Sequence, residues 1–343
     1  MLDGKIVFPS SEMKGCRDGF GEALVELGAE NPEVVALCAD LTESTRVEKF
    51  ARAYSERFVE VGVAEQNMMG VAAGLALSGK IPFIASYATF SPGRNFDQLR
   101  VSVCYSNTNV KVIGAHAGIS VGADGATHQA LEDLAMTRVL PNLVVISPAD
   151  YEETKKAVKA AAAWQGPVYI RFGREKTPAF TTAETPFEIG KAQVLREGAD
   201  VTIFGTGPLL YKCLQVAEEM SNEQSSMGNQ SLMRNNGMSD ISCEVVNVST
   251  LKPLDVAAVM LSARRTGAVV TVEEHQVTGG LFGAIAECLG QNFPTPIEAV
   301  GMPNQFGESG KPEELLEKYG MGTGAIKEAV RKVLSRKRKV NEN

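Results

Sequence analysis

Two short segments concentrate the residue types that do acid–base and anion chemistry. In the first, residues 63–74, Glu65 stands just before a run of small residues that includes Gly70, Ala72, Ala73, Gly74 and Ala76. A carboxylate in the first turn of a helix commonly does no more than complement the helix dipole. A helix this small and apolar, however, packs closely against other structure. A carboxyl group at the mouth of such a contact is desolvated, which raises its pKa and lets it hold a proton near neutrality. The second segment, residues 114–128, carries His116 and His128, two of the chain's three histidines, with Asp124 between them among several glycines. Imidazole titrates nearest to neutral pH, and glycine lets a backbone come close to a ligand. One carboxylate, two imidazoles and a nearby helix N-terminus suit a polyhydroxylated or anionic ligand. Arg17, Ser44 and Arg174 could complete an anion site. Phe90 and Phe96, flanking Pro92, Gly93 and Arg94, read first as core packing, with an aromatic platform as the alternative.

The elements that must position these residues alternate between short apolar runs and helical patterns, the signature of parallel α/β architecture. Strands are expected at 33–38, 57–61, 82–85, 110–113, 143–146 and 168–171, then at 201–204, 243–248 and 268–272. The strand at 110–113 delivers the histidine loop to its carboxyl edge, where open parallel sheets bind ligands. Thr127 is an expected N-cap for a helix over 129–136. Asp150 with Glu153 predicts a capping box for a helix reaching Ala163. The pattern divides into two α/β domains, each with a mostly parallel sheet flanked by helices. The first occupies 1–175, a linker 176–195, and the second 196–335, with an exposed polar insertion at 221–240 and a solvated basic tail at 336–343.

Bulk properties exclude several classes. A chain of 343 residues, 44% hydrophobic and 22% charged, can bury two cores. A formal net charge of −7 argues against nucleic acid as the main partner. No apolar run reaches the roughly 20 residues of a membrane span, and no secretory leader opens the chain. Six dispersed cysteines, without a CxxC pair, fit a reducing cytoplasm better than a disulfide framework or a metal site. Gly205-Thr206-Gly207 lacks the third glycine and the acidic partner of a dinucleotide turn. His275 reads as structural.

Residues 63–74 and 122–135 together resemble the pyrimidine-binding domain of transketolase. Residues 251–255, then 272–275 with Gly279 and Gly280, resemble its C-terminal domain. The resemblance covers nearly the whole chain in order. It departs from the family's usual Gly-Glu-Asp-Gly at Ala123, and the insertion at 221–240 is atypical. It implies a thiamine-diphosphate-binding fold followed by a transketolase C-terminal domain. It further implies that Glu65 hydrogen-bonds the aminopyrimidine ring of thiamine diphosphate and that Phe90 stacks on it. Arg17, Ser44, His116 and Arg174 would grip a sugar phosphate. Asp124 and His128 would contact substrate hydroxyls near the reacting carbons, His128 among the catalytic groups.

The diphosphate-binding domain of transketolases, with its Gly-Asp-Gly motif, has no counterpart here. The resemblance therefore implies the C-terminal subunit of a split transketolase, in a cytoplasmic heterotetramer of the pentose phosphate pathway. An N-terminal partner subunit would bind Mg2+ or Ca2+, this chain binding no metal, and the pyrimidine-binding domain would mediate self-association. Alternatives are the corresponding half of a 1-deoxyxylulose-5-phosphate synthase-like enzyme, a 2-oxo acid dehydrogenase beta subunit, and a non-catalytic assembly subunit.

Overall fold

The computed structural model describes residues 5–222 and 241–341. Its larger sheet has seven strands, in spatial order Thr250–Lys252, Val144–Ile146, Val168–Arg171, Lys111–Ala115, Ile81–Tyr87, Val34–Cys38 and Phe58–Glu60. All run parallel except Thr250–Lys252, which pairs antiparallel with Val144–Ile146. The central strands are covered on both faces, which is why Val34–Cys38 is buried at every position and reads as an unbroken apolar run. The helices Cys16–Glu30 and Tyr151–Ala163 pack on one face through Phe20, Leu24, Ala157, Val158 and Ala161. The small-residue helix Glu65–Leu77 packs on the other through Met68, Met69, Ala72 and Ala73.

The second sheet has five strands, ordered Ile297–Met302, Val269–Gln276, Val201–Gly205, Cys243–Asn247 and Gln193–Arg196, the last one antiparallel. The two halves share one apolar core, since Phe204, Val246, Val259 and Ile285 join the cluster that contains Met68 and Leu134.

Several local expectations need correction. The helix expected over 129–136 is Asp133–Arg138, and Thr127 does not cap it. Instead Ala130 bridges Ala117 in an extended segment, and the Gln129 side chain is committed to backbone carbonyls. The capping box is half made. Asp150 accepts the Glu153 N–H at 3.0 Å, but the Glu153 carboxylate turns to the Ala149 N–H instead. The other oxygen of Asp150 accepts from Phe180 and Thr181, so the expected linker is pinned to the first domain. Its start, Lys176–Pro178, pairs with Met13–Gly15, and its end runs into Gln193–Arg196, an edge strand of the second sheet. Thr250–Lys252, which the sequence places in the second domain, completes the sheet of the first. The basic residues Lys332 and Arg336 are exposed, and they are part of a helix. That helix is Thr323–Asn341, and the two side chains, four residues apart, are both on Glu298. The insertion read at 221–240 lies outside the described residues beyond Asn222.

His275 is structural. Its Nδ1 lies 2.7 Å from the Gln276 carbonyl and its Nε2 accepts from Ala135 N–H, the bonding of a neutral ring. Beside it, Glu273 is fully buried and accepts the N–H groups of Leu281 and Phe282 at the start of the helix Leu281–Asn292. Burial pushes its pKa up to about 8 against those two donors. A folded pKa above the unfolded 4.5 contributes stability that is complete below pH 4.5 and lost as pH rises through 8. Glu153, pushed up to about 7 by burial, acts in the same direction lower in that window. Glu273→Gln should therefore flatten the fall of Tm between pH 6 and 8, where one such group removes about 3 kcal/mol. Thermal unfolding across that range checks it, and an unchanged slope would contradict it.

Candidate active site

Each candidate group lies at or just beyond the carboxyl end of a parallel strand, or on the helix facing that edge. Ser44 follows Val34–Cys38, Glu65 follows Phe58–Glu60, and Phe90 follows Ile81–Tyr87. His116 follows Lys111–Ala115 directly, and Arg174 follows Val168–Arg171. Arg17 stands in the first turn of Cys16–Glu30, and its guanidinium donates to the Ser44 carbonyl at 3.3 Å. One sheet edge thus gathers residues spread over more than 150 positions, which is how parallel sheets build sites.

Contacts run from Glu65 toward the arginines. Glu65 is only 4% exposed, and its Oε1 accepts from Arg94 at 2.8 Å. The Arg94 guanidinium in turn lies over the Phe90 ring, 4.0 Å from its centroid. Phe90 meets the edge of His128 at 5.4 Å and stacks on Tyr87 at 5.7 Å. Tyr87 stacks on His116 at 4.2 Å. His128 Nδ1 pairs with Thr127 Oγ1 at 2.9 Å, and Asp124 with Arg174 at 3.3 Å. The sequence reading placed Glu65 alone in an apolar mouth. In the folded chain it carries an ion pair with a half-exposed arginine.

His116 is unusual in three ways. It is buried, its φ is +53°, and neither ring nitrogen has a hydrogen-bond partner. The Ser44 backbone approaches without satisfying either nitrogen. Burial, then the charges of Arg17 and Arg174, push its pKa down to about 3, so the ring is neutral at physiological pH. Positive φ in a non-glycine residue and orphaned buried polar atoms both carry a free-energy cost, and they cluster at functional sites. Arg17 is depressed too, by burial and then by the neighbouring charges of Arg46 and Arg174, which Asp18 partly offsets. Three guanidinium groups therefore crowd one corner. Arg46 is held there with a φ of +69° by Asp18, its Nε donating at 2.8 Å. Such a corner is suited to an anion.

Eight of the nine candidates thus sit along this edge, Ser44 through its backbone. Phe96 does not belong to it, because its ring packs against the core. Three residues were missed. Tyr87 is the hub of the ring contacts, and its signal was an aromatic two residues beyond a run read as ending at 85. Arg46 was given no role from the sequence, and Arg94 was named only as lying between Phe90 and Phe96. The loop glycines also have another role. Gly118, Gly122 and Gly125 have φ of +92°, +77° and +75°, and an added Cβ at each would meet Glu274, Gly310 with Pro312, or Ser309. They make room for the second domain.

Comparison with known proteins follows this division. Residues 12–179 match the family described as transketolase, pyrimidine binding domain, and residues 190–326 match transketolase, C-terminal domain. The chain is 42% identical over 320 residues to a putative transketolase C-terminal section of Methanocaldococcus jannaschii, covering 92% of this chain and 95% of the relative. It is 41% identical over 321 residues to the 6-deoxy-6-sulfo-D-fructose transketolase subunit SqwH of Clostridium sp. (strain MSTE9), covering 94% and 95%. A split gene transketolase solved as an inactive β4 tetramer superposes with a TM-score of 0.84 at 47% identity, covering 94% of this chain and 98% of that one.

Proposed function

Because this chain belongs to the transketolase family and matches C-terminal sections over nearly their whole length, we propose that its sheet edge is one side of a ketol-transfer site completed by an N-terminal partner subunit. The chain is the C-terminal subunit of a split transketolase-like enzyme, and the family implies thiamine diphosphate at the pyrimidine-binding domain. When bound, that cofactor supplies the nucleophilic carbon for transfer of a two-carbon unit from a ketose to an aldose.

The observation that carries the reading is the Glu65–Arg94–Phe90 arrangement. Arg94 presents a flat group with N–H donors to a buried carboxylate and an aromatic face together. An aminopyrimidine ring asks for the same two partners, so these residues fit it. Glu65 would hold a proton at the ring nitrogen, out of bulk water, and Phe90 would fix the ring plane. Asp124 and His128 would bind and orient substrate hydroxyls, His128 also taking part in proton movement, while neutral His116 would stand with the arginines at the anion. Arg17, Arg174 and Ser44 would hold the distal anion, which spends binding energy far from the breaking bond. The diphosphate and a Mg2+ or Ca2+ ion are assigned to the partner.

We read the substrates as sugar phosphates. The relative named for a sulfosugar widens the class to ketoses with any strongly anionic end. The site itself therefore does not single out the pentose phosphate pathway. Self-association through the pyrimidine-binding domain is supported by the outer face of Glu65–Leu77, where Gly70 and Gly74 have open space and Val71 and Leu77 are exposed. Two copies with two partners would make a heterotetramer. A cytoplasmic location is supported by six cysteines that are all buried and form no disulfide. Among the described residues, no helix is long and apolar enough to cross a membrane.

Mixing this chain with a purified N-terminal subunit, thiamine diphosphate and Mg2+ tests the reading. Ketol transfer from xylulose 5-phosphate to an aldose phosphate should appear in the mixture and be absent from either chain alone. The inactive β4 relative supports that expectation. Activity of this chain alone would refute it. So would a mixture that condenses pyruvate with glyceraldehyde 3-phosphate, the reaction of a 1-deoxyxylulose-5-phosphate synthase.

A further inference from the structure

The loop that carries His116, Asp124 and His128 has a second face, and that face is held by the other domain. Glu274, on the strand Val269–Gln276, is buried, and its Oε1 accepts the Ser120 N–H at 2.6 Å. Burial pushes its pKa up, opposed first by hydrogen bonds from Ser120. Its carboxyl group fills the space against Gly118, where a Cβ would come within 2.3 Å of Oε1. Gln129 works from within the loop. Its Nε2 donates to the Ile119 carbonyl at 3.1 Å and to the Glu308 carbonyl of the second domain at 2.9 Å. Gly307 makes room for that side chain, since a Cβ there would lie 2.1 Å from Gln129 Oε1.

Backbone ties complete the frame. Gln276 N–H donates to the Leu131 carbonyl at 2.8 Å, and the buried Arg171 donates to the carbonyls of both Ala130 and Glu274. Residues 118–131 are therefore registered against strand and loop of the second domain at several points, while their other face presents the candidate substrate groups. The polar and ring partners of Glu65 and Phe90 among the described residues, Arg94, Asn95, Tyr87 and His128, all lie in the first domain.

We propose that the second domain sets the geometry of the substrate loop, with Glu274 and Gln129 as positioning residues that act through it and touch no substrate. The inference rests on the ketol-transfer reading above. It separates two functions within one chain: cofactor-ring binding depends on the first domain, while substrate geometry depends on the contact between domains.

The test uses the assembled complex with its partner, thiamine diphosphate and Mg2+. Glu274→Ala should raise KM for the donor ketose and lower kcat/KM by about 10- to 100-fold, the scale of a misplacement near 1 Å. Thiamine diphosphate affinity, read by titration in near-UV circular dichroism, should stay within about 2-fold, because no tie to Glu65 or Phe90 is cut. Glu274→Gln keeps an acceptor oxygen for Ser120 N–H and should restore kcat/KM to within about 3-fold. If Glu274→Ala does not accumulate folded, Gln129→Met cuts the tie from the loop side and should give the same split. Unchanged kinetics in these variants, or a loss of cofactor affinity in proportion to activity, would overturn the inference. A wild-type complex without ketol transfer would instead overturn the functional reading.

Discussion

Replacing Glu65 with alanine should lower ketol transfer by the assembled complex by about 10²- to 10⁴-fold, the range supplied by one positioned acid–base group. The stability cost should be far smaller. Glu65 sits in the first turn of Glu65–Leu77, where its charge complements the helix dipole by only about 0.3–1 kcal/mol. Its ion-pair partner Arg94 is 48% exposed and can be solvated when the carboxylate is removed. Met68, Met69, Ala72 and Ala73, which anchor the helix, are untouched. Steady-state kinetics, Tm and co-purification with the partner, taken together, separate the possibilities. A variant that assembles and melts near the wild type yet has lost its activity supports a chemical role. Retained activity in a properly assembled complex would remove Glu65 from the chemistry and revive the reading of an assembly subunit.

What the sequence disclosed, and what it hid, follows from the range of the interactions involved. The strand Val168–Arg171 was legible to the residue, because burial on both faces leaves a continuous apolar signature. Asp150 was legible as an N-cap because that bond closes within three residues. Contacts across the halves were not. No local pattern announces that Thr250–Lys252 will cross to the first sheet, or that Gln129 will leave a helix-like sequence to reach Glu308. The loop glycines were noticed, but their packing role was hidden for the same reason: their partners, Glu274, Ser309 and Gly310, are some 150 or more residues away. Within the site, Glu65, His116, Asp124 and His128 stood out by residue type in an uncommon setting. Arg46 and Arg94 act through where the fold puts them.

Arginine at 17 and 174 bears on the other large effect. Arg174→Ala should lower kcat/KM for a phosphorylated ketose by about 10- to 150-fold, the worth of a charge-assisted hydrogen bond of 1.5–3 kcal/mol, and Arg17→Ala similarly. An uncharged keto donor should lose much less, so the measured quantity is the ratio of the two. Two features of the corner give the argument its direction. Arg17 is held below the ordinary range of its type by burial and by neighbouring Arg46 and Arg174, so positive charges there repel one another until an anion arrives. His116 is kept neutral, near pKa 3, by burial and then by the charges of Arg17 and Arg174. Removing either arginine should therefore let the His116 pKa rise, a shift that NMR titration can follow without substrate. A drop in activity equal for charged and uncharged donors, with His116 unmoved, would show that these arginines hold loops together and do not bind an anion.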